Sequence, residues 1–232
     1  MEQNSNVHDV VKAFIEGRPA VVAVAVELVN RYPRLTEALP SILRAYLQLV
    51  QCFDSGHQLF ICGNGGSFSD ALHISGELMK SFNKKRKLQQ NDKDELCKYK
   101  YGNEICDALE YGFPVTVLGL NPSLKTAVEN DIPVVNIAYA QELFNLGKPG
   151  DVLIGISTSG NAKNVIYATI TAKAKNIHTI SLTGEHGGEL ATFADISIHV
   201  PSKVTHIVQE FHLPVYHALC EMVEAHYFHE NK

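Results

Sequence analysis

Five short apolar runs, rich in β-branched residues, limit how this 232-residue chain can fold more than any other feature. They are continuous rather than alternating, as expected for strands that are covered on both faces. Most are followed by Gly, Ser, Asn or Thr and then by a stretch with helical periodicity. The runs are QLFIC (58–62), VTVLGL (115–120), DVLIGIS (151–157), HTISLT (178–183) and DISIHV (195–200). This rhythm predicts an α/β domain, a doubly wound five-stranded parallel sheet with helices on both sides.

Helical periodicity dominates the chain before the first of these runs. Apolar residues recur at helical spacing over residues 7–55, and Pro33 separates two apolar runs within this range. Two such helices ahead of an α/β domain have little of their own to bury. We therefore expect them to pack either on a partner subunit or across the main domain.

A polar stretch separates the first two predicted strands. Residues 83–101, NKKRKLQQNDKDELCKYKY, carry seven Lys or Arg and three Asp or Glu, with little periodicity. This composition favours a solvated, partly mobile loop within a charged insertion over residues 83–112. The alternative is a lid or a partner contact that brings cations near an anionic substrate.

Charge and composition argue against several classes of protein. The net charge of −5 gives no electrostatic basis for nucleic acid or an anionic membrane as the main partner. No apolar run approaches the roughly 20 residues that span a bilayer, and MEQNSNVHDV has neither the basic region nor the apolar region of a signal peptide. Five scattered cysteines without a C-x-x-C pair favour a reduced compartment, so we expect a cytoplasmic protein.

Two loops of similar character follow the first and third predicted strands. They are GNGGS at 63–67 and STSGN at 157–161, and each leads into a helix. Open parallel sheets bind ligands at the carboxyl ends of their strands, and N–H groups at a helix start attract anions. One such loop alone is as often a simple helix cap, but together they suit a phosphate. The first loop lacks the Lys-Ser/Thr of a Walker A sequence, and Phe68 replaces the third glycine of G-x-G-x-x-G, so we expect no nucleotide cofactor.

Four polar side chains on two predicted helices form the second candidate constellation. His73 and Glu77 are four residues apart and share a helical face. Gln209 and His217, eight residues apart, share a face of a helix near the C-terminus. A set of this kind can surround a divalent metal, or it can hold a general base and a general acid around a sugar. The residues alone leave a third interpretation open, in which they are solvated or hydrogen-bonded surface groups.

Four segments carry motifs of a known family in that family's order. They are CGNGGSFSDALHISGEL at 62–78, GDVLIGISTSGNAKNVIYA at 150–168, LTGEHGGEL with ADISIHVPS at 182–190 and 194–202, and VQEFHLPVYHALCEMVE at 208–224. These segments resemble the two phosphate loops, the first active-site helix, the closing strand–helix–strand unit and the final helix of phosphoheptose isomerases. The resemblance runs from about residue 40 to residue 228, apart from the charged insertion.

The resemblance implies roles for individual residues. The substrate-binding residues that it implies are Asn64, Gly65, Gly66, Ser67, Asn130, Asp131, Ser157, Thr158, Ser159 and Gln209. The ligands that it implies for Zn²⁺ are His73, Glu77, Gln209 and His217. Glu77 and His217 are also implied as the catalytic base and acid. Ala162 stands where the family usually has a serine, so one phosphate donor is missing.

The resemblance also implies a fold and an activity. The fold is a flavodoxin-like three-layer sugar isomerase (SIS) fold, with a helical segment for oligomer assembly at 1–56 and a sugar-phosphate domain at 57–232. The activity is ketose–aldose isomerisation of sedoheptulose 7-phosphate to D-glycero-D-manno-heptose 7-phosphate through an enediol, in a homotetramer. One alternative is a regulatory or replication-initiator-associated SIS protein that binds a sugar phosphate without isomerase activity. Another is a different enzyme on the same scaffold, such as an arabinose 5-phosphate isomerase or a lyase of amino-sugar ethers.

Overall fold

A five-stranded parallel sheet forms the centre of the protein. The computed structural model describes residues 11, 14, 15 and 17–228. The strands are β1 Leu59–Cys62, β2 Val115–Val117, β3 Val152–Ser157, β4 His178–Thr183 and β5 Ile196–His199. All pairings are parallel, in the order β2-β1-β3-β4-β5. The five predicted strands are confirmed, and their order is that of flavodoxin-like folds.

Helices cover both faces of this sheet. They are α1 Pro19–Arg31, α2 Leu39–Asp54, α3 Gly66–Met79, α4 Gln90–Leu96, α5 Gly102–Cys106, α6 Pro122–Asp131, α7 Ala138–Leu146, α8 Lys163–Ala174, α9 Leu190–Phe193 and α10 Thr205–Tyr227. A 3₁₀ helix, Pro33–Ala38, joins α1 to α2, so Pro33 does separate two helical runs. The start of the predicted helical run, before residue 11, lies outside the described residues. Among the described helices, none has both the length and the apolar character to cross a bilayer.

Successive residues of a strand point into two different cores, as the pleat requires. Leu59 and Ile61 of β1 face a core that includes α1, α2, α3 and α10. Phe60 and Cys62 face a second core with α7 and α8. Every residue of β1 and β3 is buried, which explains why these runs are continuous rather than alternating. The result is the three-layer arrangement of a doubly wound fold.

The N-terminal helices pack on their own chain. α1 lies along α10, and α2 contacts α10, β3 and β5. Leu28 of α1 and Leu43 of α2 belong to the same buried core as Ile154 of β3. Of the two alternatives left open by the sequence, the structure shows packing across the main domain. A role of residues 1–56 in oligomer assembly, and the division of the chain at residue 57, stay predictions.

The charged segment is folded and contains a buried cation. It includes α4 and α5, and Arg86 is 0% exposed although its neighbour Lys85 is exposed. Arg86 is paired with Glu224 of α10, with 2.9 Å between Nε and Oε1. The prediction of a solvated, partly mobile loop is therefore wrong at this residue, because a carboxylate far along the chain compensates the buried charge.

Candidate active site

The two glycine-rich loops lie side by side at the carboxyl edge of the sheet. β1 and β3 are neighbours in register, with Cys62 opposite Gly155, so the loops that follow them meet. Asn64 in the first loop and Asn164 near the start of α8 exchange two side-chain hydrogen bonds of 2.8 Å. This amide pair joins the loop after β1 to the helix after β3. The structure thus brings together the two segments that the sequence predicts to bind phosphate.

The first loop needs glycine for its geometry. Gly65 has φ of 54°, in the left-handed region that favours glycine. A Cβ on Gly63 would lie only 2.6 Å from the carbonyl oxygen of Ser67, a buried residue, so a larger side chain would clash there. The Ser67 N–H donates to the Asn64 carbonyl oxygen at 3.0 Å. α3 then begins at Gly66, so the positive end of its helix dipole lies at this edge of the sheet.

The second loop exposes one hydroxyl in particular. Ser157 is buried, whereas Ser159 is exposed. The Ser159 Oγ accepts from the Asn161 N–H at 3.2 Å, which leaves its own proton available for an anion. Gly160 has φ of 69°, and a Cβ there would overlap the carbonyl oxygen of Gly187. The loop therefore needs glycine at position 160, and it presents the Ser159 hydroxyl to solvent.

A carboxylate between two imidazoles forms the chemical centre of the site. The Glu77 Oε1 lies 3.1 Å from the His73 Nε2 and 3.2 Å from the His217 Nε2. Ligand atoms of the three residues all lie within 4.8 Å of one another. The Glu77 Oε2 is buried and has no hydrogen-bond partner in the described part of the chain. The structure thus unites three of the four side chains that the helical spacing singled out, two from α3 and one from α10.

Burial shifts these groups in opposite directions. It raises the pKa of Glu77, although the Cys220 thiol and the His73 imidazole oppose the shift. Burial also lowers the pKa of His217, and the neighbouring His73 adds to that shift. Glu77 is therefore a stronger base than an exposed glutamate, and His217 is biased toward its neutral form.

Sequence reasoning missed two residues next to this cluster. The Tyr216 hydroxyl lies 2.9 Å from the His73 Nδ1, on the side of the ring away from Glu77. Burial raises the pKa of Asp70 to about 6, with the Tyr216 hydroxyl opposing the shift. Asp70, His73 and Glu77 stand at i, i+3 and i+7 of α3, so their common face was a signal available in the sequence.

Three further predicted residues lie elsewhere. A Cβ on Gly66 would overlap the Gln209 amide, so the Gln209 side chain lies beside the start of α3. Gly66 is seven residues before His73. Asn130 and Asp131 are exposed at the end of α6, where the Asn130 amide donates to the Asp131 carboxylate at 2.8 Å. Within the described residues, Asp131 does not belong to the group of acidic and imidazole side chains around Glu77. The roles of Gln209, Asn130 and Asp131 stay predictions.

Known proteins are similar to this chain in sequence and in fold. Residues 131–223 match the SIS domain family. Over 187 residues the chain is 36% identical to a phosphoheptose isomerase of Synechocystis sp., covering 80% of this chain and 84% of that protein. A solved phosphoheptose isomerase from Francisella tularensis superposes with a TM-score of 0.66 at 26% identity, covering 88% of this chain and 93% of the other. The Neisseria gonorrhoeae phosphoheptose isomerase gives a TM-score of 0.64 at 28% identity, with coverages of 87% and 94%. The chain belongs to the phosphoheptose isomerase family and has its SIS fold.

Proposed function

We propose that this protein is an isomerase that interconverts sedoheptulose 7-phosphate and D-glycero-D-manno-heptose 7-phosphate. The observation that carries the proposal is the buried Glu77 carboxylate, which contacts imidazoles of both α3 and α10. A basic carboxylate held in this way beside two glycine-rich loops suits proton transfer on a phosphorylated sugar. Family membership supports the choice of a seven-carbon substrate.

The phosphate of the substrate binds between the two loops. The hydroxyls of Ser157, Thr158 and Ser159 donate to it, and the positive end of the α3 dipole stabilises its negative charge. His73 is seven residues from Gly66, about 10 Å along the helix axis. The cluster around Glu77 then faces the carbon chain of the sugar rather than its phosphate. Asn130, Asp131 and Gln209 bind sugar hydroxyls in this proposal, and the exposed Asn130–Asp131 pair suits a contact with a site on a neighbouring subunit.

Glu77 moves the proton between the two reacting carbons. The Glu77 carboxylate takes a proton from C-1 of the open-chain ketose, and the electron pair of that C–H bond forms the C-1=C-2 double bond of the enediol. The π pair of the C-2 carbonyl moves onto its oxygen, which takes a proton from His217. The protonated carboxyl returns the proton to C-2, which yields the aldose. His217 moves the accompanying proton between the two sugar oxygens. Burial raises the pKa of Glu77, which favours the capture of the proton.

The donor set around Glu77 also suits zinc. Two imidazoles and a carboxylate within 4.8 Å are ligands that Zn²⁺ prefers, and one buried oxygen of Glu77 has no partner among the described residues. We assign His73, Glu77 and His217 as ligands. The Gln209 amide lies beside Gly66, about two turns of α3 before His73, and would have to move to become a weaker fourth ligand. When bound, zinc supplies Lewis-acid stabilisation of negative charge on the sugar oxygens.

Metal analysis tests the zinc assignment. Protein purified without chelator should contain about one equivalent of zinc per chain, and chelation should reduce its activity because a Lewis acid is lost. The apoprotein should recover activity when zinc is returned. Less than a tenth of an equivalent, together with undiminished activity, would leave only metal-free acid–base catalysis.

The proposal includes a cytoplasmic homotetramer. The family resemblance supports this assembly, because sites in the family are built between subunits. Sedimentation equilibrium of the full chain should give four times the 25.6 kDa of one chain. A monomer that retains full activity would contradict a site shared between subunits.

A substrate panel tests the activity directly. We would incubate the protein with ketose and aldose phosphates of five to seven carbons and follow interconversion by NMR. The highest kcat/KM should belong to the seven-carbon pair. Preference for the five-carbon pair would identify an arabinose 5-phosphate isomerase. Saturable binding of a sugar phosphate without turnover would favour the regulatory alternative.

A further inference from the structure

Arg86 caps the helix that carries Glu77. Its Nη1 donates to the Leu78 carbonyl oxygen at 2.7 Å, and its Nη2 donates to the Glu77 carbonyl oxygen at 3.2 Å. These carbonyls belong to the last turn of α3, where the helix itself supplies no donors. Its Nε donates to the Glu224 Oε1 of α10 at 2.9 Å. One buried side chain thus joins the two helices that meet at the cluster.

Glu224 also binds the backbone of the segment that follows α3. Its carboxylate accepts the backbone N–H groups of Phe82, Asn83 and Lys84 at 2.9, 2.8 and 3.0 Å, in addition to Arg86. The Phe82 ring lies 5.9 Å from the His217 ring, measured between centroids. Glu224 therefore fixes the backbone of the segment whose aromatic ring lies against the second imidazole of the cluster.

The register of α3 and α10 explains why this connection reaches the cluster. Glu224 follows His217 by seven residues, so both lie on one face of α10. Along the two helices, Gln209 lies beside Gly66, His217 beside Glu77, and Glu224 beside the Arg86 cap. A shift of the helix ends at the cap therefore changes the separation of His217 from Glu77.

Stability alone does not account for this ion pair. Arg86 and Glu224 are 0% and 1% exposed, and the guanidinium lies 5.3 Å from the ring centroids of both Phe113 and Phe228. Removing two charges from water costs several kcal/mol per ion, and apolar replacements of such pairs are often equally stable. What an apolar pair does not reproduce is the set of directed hydrogen bonds to α3, α10 and residues 82–84.

We propose that the Arg86–Glu224 ion pair is a positioning device, which holds α3 and α10 at the separation where the Glu77 Oε1 meets both imidazoles. Neither residue touches the substrate in this account. The kinetic consequence rests on the proposed isomerase function, whereas the geometric consequence does not.

Two conservative variants and two controls test the proposal. Glu224→Gln keeps the size and one acceptor but removes the charge, and Arg86→Lys keeps the charge but removes the planar fork. Asp151→Asn is the matched control, because Asp151 is a buried carboxylate that accepts the Gln58 and Lys148 N–H groups at the opposite edge of the sheet, at 3.0 and 2.8 Å. Lys85→Ala removes an exposed ion pair of the same segment.

We expect a kinetic effect only near the cluster. Well below the unfolding temperature, Glu224→Gln and Arg86→Lys should lower kcat by about tenfold or more, with KM within about threefold of wild type, since misplaced catalytic groups reduce turnover steeply. Asp151→Asn should lose thermal stability while kcat stays within twofold, and Lys85→Ala should change neither. Loss of stability in all three buried variants, with kcat unchanged in each, would overturn the proposal.

Imidazole ¹⁵N NMR gives a readout that does not need turnover. The side-chain signals of His73 and His217 should move in Glu224→Gln and stay in place in Asp151→Asn. If wild-type protein shows no isomerase activity but these signals move, the proposed function fails and the positioning role stands. A fall in kcat without any movement of the two signals would overturn the positioning role, because the loss would then arise by another route.

Discussion

The loops at the sheet edge and the α3–α10 pair solve different problems with different chemistry. The loops use backbone N–H groups and hydroxyls, on paths that glycine permits at Gly65 and Gly160. The helix pair uses ionisable side chains whose pKa values depend on burial, with Glu77 between His73 and His217. Neutral donors at a rigid edge favour binding of an anion, whereas a buried base favours reaction. We therefore expect changes in the loops to act on KM and changes in the helix pair to act on kcat.

Removing an imidazole from the helix pair should give the largest effect of the variants that test this division. His217→Asn should lower kcat by about 10²–10⁴-fold, the usual range for a general acid or base, with KM little changed. Steady-state kinetics with the seven-carbon substrate measures it. His206→Asn, an exposed histidine of the same helix, should behave as wild type. A large rise in KM with normal kcat in His217→Asn would break the division.

His212 tests whether a buried imidazole of α10 affects the free energy of unfolding rather than kcat. It is 0% exposed, and burial lowers its pKa to about 4, although a backbone contact with Thr183 opposes the shift. An unfolded histidine has a pKa of about 6.5. The unfolded chain thus binds a proton first as the pH falls from 6.5 to 4, and the free energy of unfolding decreases over that window by about 1.4 kcal/mol per pH unit.

Urea unfolding of wild type and His212→Leu measures this linkage. Between pH 7 and pH 5 the difference in unfolding free energy between the two should shift by about 2 kcal/mol in favour of the variant. The comparison removes the contribution of other groups that titrate in both proteins, such as Asp70. Parallel pH profiles would show that His212 is not held neutral.

In the loops, the loss of one hydroxyl should act on binding. Ser159→Ala removes an exposed donor and should raise KM by about tenfold, the effect of one hydrogen bond to a charged group, with kcat within about threefold. Ser123→Ala, an exposed serine at the start of α6, is the control. A fall in kcat at unchanged KM in Ser159→Ala would place this loop with the helix pair.

Restoring a hydroxyl should give the smallest effect. Ala162 stands at the N-cap of α8 with extended backbone, φ −70° and ψ 111°, and supplies no side-chain cap. Ala162→Ser should raise the unfolding free energy by about 1 kcal/mol and lower KM by about threefold, because a serine caps the helix and adds a donor to the phosphate loop. Chemical denaturation and kinetics measure the two changes. A variant with neither gain would show that the loop has compensated for the missing serine.

The two regions also differ in what the sequence predicts. The strands, their loops and the His73–Glu77 spacing are local patterns, and all appear in the structure where periodicity and strand ends put them. Glu224 is 138 residues from Arg86, so no local pattern links them, and a Lys/Arg-rich stretch looked like a solvated loop. Contacts of this kind are decided by how α3, α10 and the charged segment pack, which single-sequence periodicity does not encode.

Isomerisation in D₂O by wild type and Glu77→Gln tests the central claim, that Glu77 carries the proton between the two carbons. Wild type should place solvent deuterium at C-2 of the aldose, because a carboxyl proton exchanges with solvent while the enediol is bound. Glu77→Gln should fold normally by circular dichroism, lose at least about 10³-fold in kcat and introduce no deuterium. Turnover within a fewfold of wild type, with deuterium still entering the product, would contradict the account.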